Sequence, residues 1–130
     1  MNSAAPINPQ YCTAKTALVG LTRCAGPVLL KAENITVNCI CPGFIETGLA
    51  PPAVLAIFPR EHMTPMSTAI KAYDDFLNDH TLTGQVAELS KDSVYYRKQI
   101  EFPDETMRWL SLDSGEVWRA GYKSPSSASF

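Results

Sequence analysis

The sequence predicts an α/β fold built on parallel strands. Three observations carry this. A long stretch near the start has apolar residues at three- and four-residue steps. Two short apolar runs read as strands. A second stretch of helical period lies between them. The order helix, strand, loop, helix, strand is that of an α/β unit whose strands run parallel.

Residues 1–10 carry two prolines and small polar residues, and read as a loop or arm. From Thr13 to about Ala32 the pattern is helical: Ala14, Ala17, Leu18, Leu21, Ala25, Val28 and Leu29 recur on one stripe. Gly20 in this helix would admit a close backbone neighbour. Pro27 lacks an N–H and should kink the helix or cut it short. "ENITVNCICPG", residues 33–43, follows as a strand over 35–41. Ile35, Val37, Cys39 and Cys41 share one face, Thr36, Asn38 and Ile40 the other, and Pro42-Gly43 ends the run. Apolar character on most positions suggests a central parallel strand. Residues 44–62 read as a proline-rich loop with one short apolar turn. Helix returns over 65–78 on a stripe of Met66, Ala69, Ile70, Tyr73 and Leu77. "LTGQVAELS", residues 82–90, is a second strand entered through a glycine. Asp104 to Leu110 suits a short helix, and "KSPSSASF" suits a disordered end. The domain therefore covers 1–110, with 111–130 as a partly disordered extension.

Composition narrows the function classes. The chain has 130 residues, of which 45% are hydrophobic and 18% charged, the balance of a globular domain with its own core. A net charge of -2 gives no electrostatic reason to expect nucleic acid as a partner. No apolar run is long enough to span a membrane, and "MNSAAPINPQY" lacks the basic and apolar regions of a signal peptide. Cys12, Cys24, Cys39 and Cys41 match no zinc spacing, so no metal site is expected. They read as small buried hydrophobes of a reducing, cytoplasmic compartment. Asn38 reads as a satisfied polar residue, and His62 and His80 as solvated ones. The tyrosine pair of "DSVYYRKQ" is expected to pack in the core near a strand end, and Trp109 and Trp118 to seal the C-terminal segment.

Tyr11 and Lys15, in "YCTAK", stand four apart at the start of the first helix, and four-apart residues share a helix face. Together with Gly20-Leu21-Thr22-Arg23, Val37-Asn38 and Cys41-Pro42-Gly43, the run "YCTAKTALVGLTR…ENITVNCICPGFIETGL" resembles the short-chain dehydrogenase/reductase family. The resemblance is tight over residues 11–49 and looser to about 90. Within the family it is most like fungal enzymes similar to NAD-dependent 15-hydroxyprostaglandin dehydrogenase. It implies the C-terminal portion of a Rossmann-like, doubly wound parallel sheet. It also implies NAD or NADP as cofactor and a small secondary alcohol or ketone as substrate. By resemblance Tyr11 is the acid/base, exchanging a proton with the substrate oxygen. Lys15 favours the ionised phenol and holds the nicotinamide ribose, while Pro42, Gly43, Ile45 and Thr47 line the nicotinamide end of the cofactor. The position also suits ligands of open α/β sheets, which bind beyond the carboxyl ends of the strands. The Met-rich "EHMTPMSTAI" is similar to the family's variable substrate loop, or is an ordinary helix lead-in.

Other family elements have no counterpart in these 130 residues. There is no glycine-rich pyrophosphate turn, since the seven glycines are scattered. The residue that reads the adenosine ribose and the Asn-Asn-Ala-Gly element are missing as well. Counting back from Tyr11 to the family's catalytic serine leads to a point before Met1; Ser3, eight residues before Tyr11, does not match. The expected chain is thus a truncated domain with its nucleotide-binding half absent. A bare apolar strand edge at 35–41 would then invite pairing. The resemblance implies a homo-oligomer through the helices around 13–32 and 65–78. Two functions follow from different classes. One is an NAD(P)-dependent oxidoreductase, present here in part. The other is a truncated member without redox activity, kept as an interaction module or turned to other acid/base chemistry at Tyr11.

Overall fold

A computed structural model describes residues 8–122. Ser3 and the "KSPSSASF" segment lie outside the described residues. The chain divides into two compact units between Lys98 and Gln99.

The first unit begins with helix α1, Pro9–Glu33. Pro9 suits the first helical position, where no N–H is needed, and the Asn8 side chain caps the turn by accepting from the Tyr11 N–H at 3.0 Å. The helix ends where Asn34 turns left-handed at φ 57°. The Asn34 and Ile35 N–H groups then bond the Leu30 and Leu29 carbonyls at 3.1 and 3.3 Å. Of the two expected effects of Pro27, a kink or an early end, the second does not occur: α1 runs on through Pro27 to Glu33. Pro27 sits against the loop that enters the second strand, and tertiary packing there outweighs one lost hydrogen bond.

Strand β1 is Cys39–Pro42, shorter than expected. Residues 35–38 approach the sheet without a regular ladder. Side chains tie them, together with one backbone bond from the Gly84 N–H to the Val37 carbonyl at 2.8 Å. Asn38 Nδ2 donates to the Leu82 carbonyl at 2.8 Å, and its Oδ1 accepts from the Gln85 N–H at 3.0 Å. The Val37 N–H donates to Thr83 Oγ1 at 3.2 Å. Asn38 is therefore a satisfied polar residue, as read, but one that joins two strand entries. The following segment holds helix α2, Pro52–Ile57, and a 3₁₀ turn at Arg60–His62. Helix α3 is Met66–Asn78 and strand β2 is Val86–Ser90. The strand is entered through Gly84 at φ +69°, as the glycine foretold. β1 and β2 run parallel, with Cys39 opposite Val86 and Pro42 opposite Leu89.

A third strand, β3 at Ser93–Tyr96, was not expected. It pairs antiparallel with β2 through a two-residue turn at Lys91-Asp92, so the sheet is mixed, in the order β1-β2-β3. β2 is the central strand, and β1 an edge among the described residues. Tyr95 and Tyr96 are not core-packed: both are more than 40% exposed, at 48% and 42%. Tyr96 packs edge-on against Phe76 and donates to Asp75 Oδ2 at 2.9 Å.

The core holds Ala69 and Ala72 of α3 against Ala87 and Leu89 of β2, with Ile40, Ile45, Phe76 and Val94 around them. Val86 points to the other face, the face that alternation also assigns to Cys39 and Cys41. Both helices bury small residues: Thr22 and Gly26 on α1; Thr68, Ala69 and Ala72 on α3. Most of the predicted stripes face outward instead. Leu18, Leu21 and Val28 on α1 are exposed, and so are Met66, Ile70, Tyr73 and Leu77 on α3. The cysteines correct another expectation: Cys24 is exposed, and Cys12, Cys39 and Cys41 are only partly buried. Partial burial, followed by the adjacent Cys39, pushes the Cys41 thiol up. His62 and His80 are exposed, as read.

The second unit carries helix α4, Glu105–Leu112, and helix α5, Gly115–Tyr122. Asp104 caps α4 by accepting from the Met107 N–H at 2.8 Å. Buried Ser114 donates to the Leu110 carbonyl at 2.6 Å. Trp109 and Trp118 are exposed rather than sealing a core, and Trp118 stacks on Tyr122. Among the described residues no helix is long and apolar enough to cross a membrane.

Candidate active site

Tyr11 lies in the first turn of α1, and the Asn8 cap fixes that turn. Its side chain is 54% exposed. One turn on, the Lys15 ammonium stands 5.4 Å from the centre of the Tyr11 ring. The pair the sequence singled out is thus in contact, held by helix geometry alone.

The chain after β1 supplies the opposite wall. The Gly43 N–H continues the ladder, donating to the Leu89 carbonyl at 3.0 Å. A side chain at 43 would not fit: a Cβ there would meet Thr64 Oγ1 at 2.6 Å. The Thr64 N–H in turn donates to the Phe44 carbonyl at 2.7 Å. Phe44 stacks on Phe58 with ring centres 4.0 Å apart, and Arg60 bonds Glu46. The segment 44–60 is therefore pinned near both ends and presents its middle as a wall.

Between these walls is a cleft of about 510 Å³. Pro42, Gly43, Ile45 and Thr47 all line it, together with Tyr11. Lys15 flanks Tyr11 without lining the cleft itself. Sequence reasoning missed Phe44, Leu49, Ala50, Pro51 and Val54, which complete the lining. The only signal for them was their place just after the Pro-Gly that ends β1. The stretch "EHMTPMSTAI" does not reach the cleft; it contributes through Thr64, behind Gly43.

The cleft has two hydroxyls, Tyr11 and Thr47, in an apolar setting with an ammonium group beside one of them. This donor set suits ribose hydroxyls and a carboxamide, the nicotinamide end of a dinucleotide. It does not suit a pyrophosphate, for which these 130 residues offer no glycine-rich turn.

A hydroxyl-bearing cleft at the C-terminal end of a parallel strand, over a Tyr-x-x-x-Lys helix, is the arrangement that the family resemblance implies. Comparison with known proteins agrees. Residues 1–60 match the family model described as enoyl-(acyl carrier protein) reductase. The short-chain dehydrogenase/reductase prx6 of Penicillium rubens is 37% identical over 89 residues, covering 68% of this chain and 30% of that protein. The short-chain dehydrogenase/reductase prx7 of the same fungus is 30% identical over 119 residues, covering 78% of this chain and 42% of that protein. Dehydrogenase/reductase SDR family member 4 of Oryctolagus cuniculus is 45% identical over 53 residues, covering 37% and 20%. The chain belongs to the short-chain dehydrogenase/reductase family. It spans less than half the length of these curated relatives.

Proposed function

We propose that this chain supplies the proton-transfer half of an NAD(P)-dependent oxidoreductase that interconverts a secondary alcohol and a ketone. The observation that carries the proposal is the shared cleft: Tyr11 faces Pro42, Gly43, Ile45 and Thr47 across it, with Lys15 on the tyrosine ring. The bound nicotinamide accepts or supplies the hydride. The Tyr11 hydroxyl gives a proton to the ketone oxygen, or takes one from the alcohol. The Lys15 ammonium steadies the negative charge that Tyr11 bears between the two. Lys15 and Thr47 would hold the ribose and carboxamide.

The test is a fluorescence titration with NADH and NADPH, paired with turnover of simple ketones. Saturable binding of either nucleotide is the result that the proposal requires of a chain able to act alone. Tyr11→Phe should keep that binding and lower turnover by roughly a hundredfold or more, the usual contribution of a positioned acid/base. A Tyr11→Phe variant with full turnover would end the proposal.

A second reading has its own support. The exposed apolar faces of α1 and α3, and the open edge of β1, favour association of this chain with another copy. In that reading α1 and α3 form the contact, and the chain acts as an interaction module. No binding of either nucleotide to a folded chain would favour it.

A further inference from the structure

Strand β1 carries two thiols that do not line the cleft. Cys39 and Cys41 stand two apart on it, and alternation puts both on the face that β2 shows with Val86, away from the core around Ala87 and Leu89. Both are partly exposed, and neither is in a disulfide. They lie close enough to act on each other: after burial itself, the charge and the hydrogen bonding of Cys39 push the Cys41 thiol up. Glu88, opposite Cys41 in the pairing, is bonded to Arg97. Among the described residues no third side chain joins the two thiols in a group fit to hold a metal ion, so this chain alone forms no closed zinc centre. What remains is a pair of sulfur donors, open on one side.

Their spacing decides what the pair can take. Residues two apart on a strand have Cα atoms about 6.6 Å apart and side chains that point the same way. A direct S–S bond needs Cβ atoms within about 4.5 Å of each other. Reaching that would bend β1, which is fastened at both ends: the Cys39 N–H donates to the Gln85 carbonyl and the Gly43 N–H to the Leu89 carbonyl, both at 3.0 Å. One atom set between the sulfurs, about 2.3 Å from each as zinc stands from a thiolate, spans the gap with the strand left straight. Such an atom must be soft, must take two thiolates at a bent angle, and must ask no third ligand of the chain.

We propose that Cys39 and Cys41 are a paired-thiol site that captures trivalent organoarsenicals. The carbon substituent of the arsenic is its third ligand. With an arsine oxide, two As–S bonds form, the As=O bond breaks, and both thiol protons leave with the oxygen as water. Arsenic stays trivalent, so no oxidant or reductant takes part. The site ends one residue before Pro42, where the cleft lining begins on β1, and it stands whether or not the chain transfers hydride.

Phenylarsine oxide and intact-mass spectrometry of the reduced chain test this. One phenylarsine per chain is expected, retained against a large excess of glutathione and removed by dithiothreitol, which offers two thiols of its own. Cys39→Ser and Cys41→Ser should each weaken capture by roughly a hundredfold or more, the loss of a second donor held at high effective concentration. Cys12→Ser and Cys24→Ser should leave it unchanged. The circular dichroism spectrum should stay the same on capture, because β1 has no need to bend. The same spectrum checks that the serine variants fold; Cys39→Ala and Cys41→Ala serve if either does not. The proposal is overturned by no adduct on the folded chain, by an adduct that glutathione strips, by one that Cys39→Ser or Cys41→Ser leaves intact, by dependence on Cys12 or Cys24, or by loss of structure as the adduct forms.

Discussion

Gly26 shows how much one residue can decide. A Cβ at this position would lie 2.4 Å from the Gly84 nitrogen and 2.8 Å from its Cα. Both are backbone atoms, so no side chain can swing away. Gly26→Ala should destabilise the fold by about 1–2 kcal/mol, the cost of overpacking less the helix propensity that alanine adds. Chemical denaturation would show it as a lowered midpoint at unchanged slope. Gly20, the glycine that sequence reasoning chose for a close approach, has no neighbour within 4 Å of its would-be Cβ. One sequence shows that a helical glycine exists, not which neighbour folds against it. Tyr96 carries a pH prediction. Burial, then its hydrogen bond to the Asp75 carboxylate, raises its pKa above the ordinary value of 10.0. The unfolded chain therefore releases this proton first as pH rises. The stability Tyr96 contributes is full below the ordinary value and is lost as pH climbs through the raised one. Denaturation midpoints measured across that alkaline range should fall, and Tyr96→Phe should flatten the fall.

At the scale of elements, period was legible and phase was not. Helix α3 was expected over nearly the residues it occupies. Yet it buries Thr68, Ala69 and Ala72 and leaves Met66, Ile70, Tyr73 and Leu77 outside. Ranking stripes by hydrophobicity picks the large side chains, while close packing on β2 admits the small ones. The parallel pairing of β1 and β2 was legible because a helical stretch lies between two apolar runs, which makes a crossover that brings the second strand back parallel. β3 was not, because its turn is Lys-Asp and lacks the Asn-Gly or Asp-Gly pattern of tight hairpins. Lys91 stands there at φ 52°, a conformation that costs an L-residue about 1–2 kcal/mol. Lys91→Gly should relieve that and, after the added freedom of the unfolded chain, raise stability by about 0.5 kcal/mol. A thermal melt that fell instead would show that the Lys91 side chain matters to the turn.

For the whole molecule, the proposed pairing of copies is the property most open to test. Sedimentation velocity over a range of concentrations should find a species heavier than one chain. Ile70→Glu combined with Leu77→Glu, both on the outer face of α3, should return the chain to monomer without loss of helix. A monomeric parent chain would rule the contact out. The candidate site was more legible than the fold around it. Tyr11, Lys15, Pro42, Gly43, Ile45 and Thr47 come from two short motifs, and local geometry carries each motif to its place. The apolar half of the cleft was hidden because Leu49, Ala50, Pro51 and Val54 follow no motif and line it only through the path of their segment.

The hydrogen bond from Gly43 to Leu89 also sets an order of events during synthesis. Every lining residue of the cleft lies between positions 11 and 54. The floor, however, is anchored to β2, through Pro42 opposite Leu89 and the Gly43 N–H on the Leu89 carbonyl. As the chain leaves the ribosome, Tyr11 and the whole of segment 44–54 emerge well before the strand that fixes them. The cleft must wait, with its hydrocarbon wall uncovered, until residue 89 is free to pair. That interval is when a nascent chain of this design most needs a chaperone.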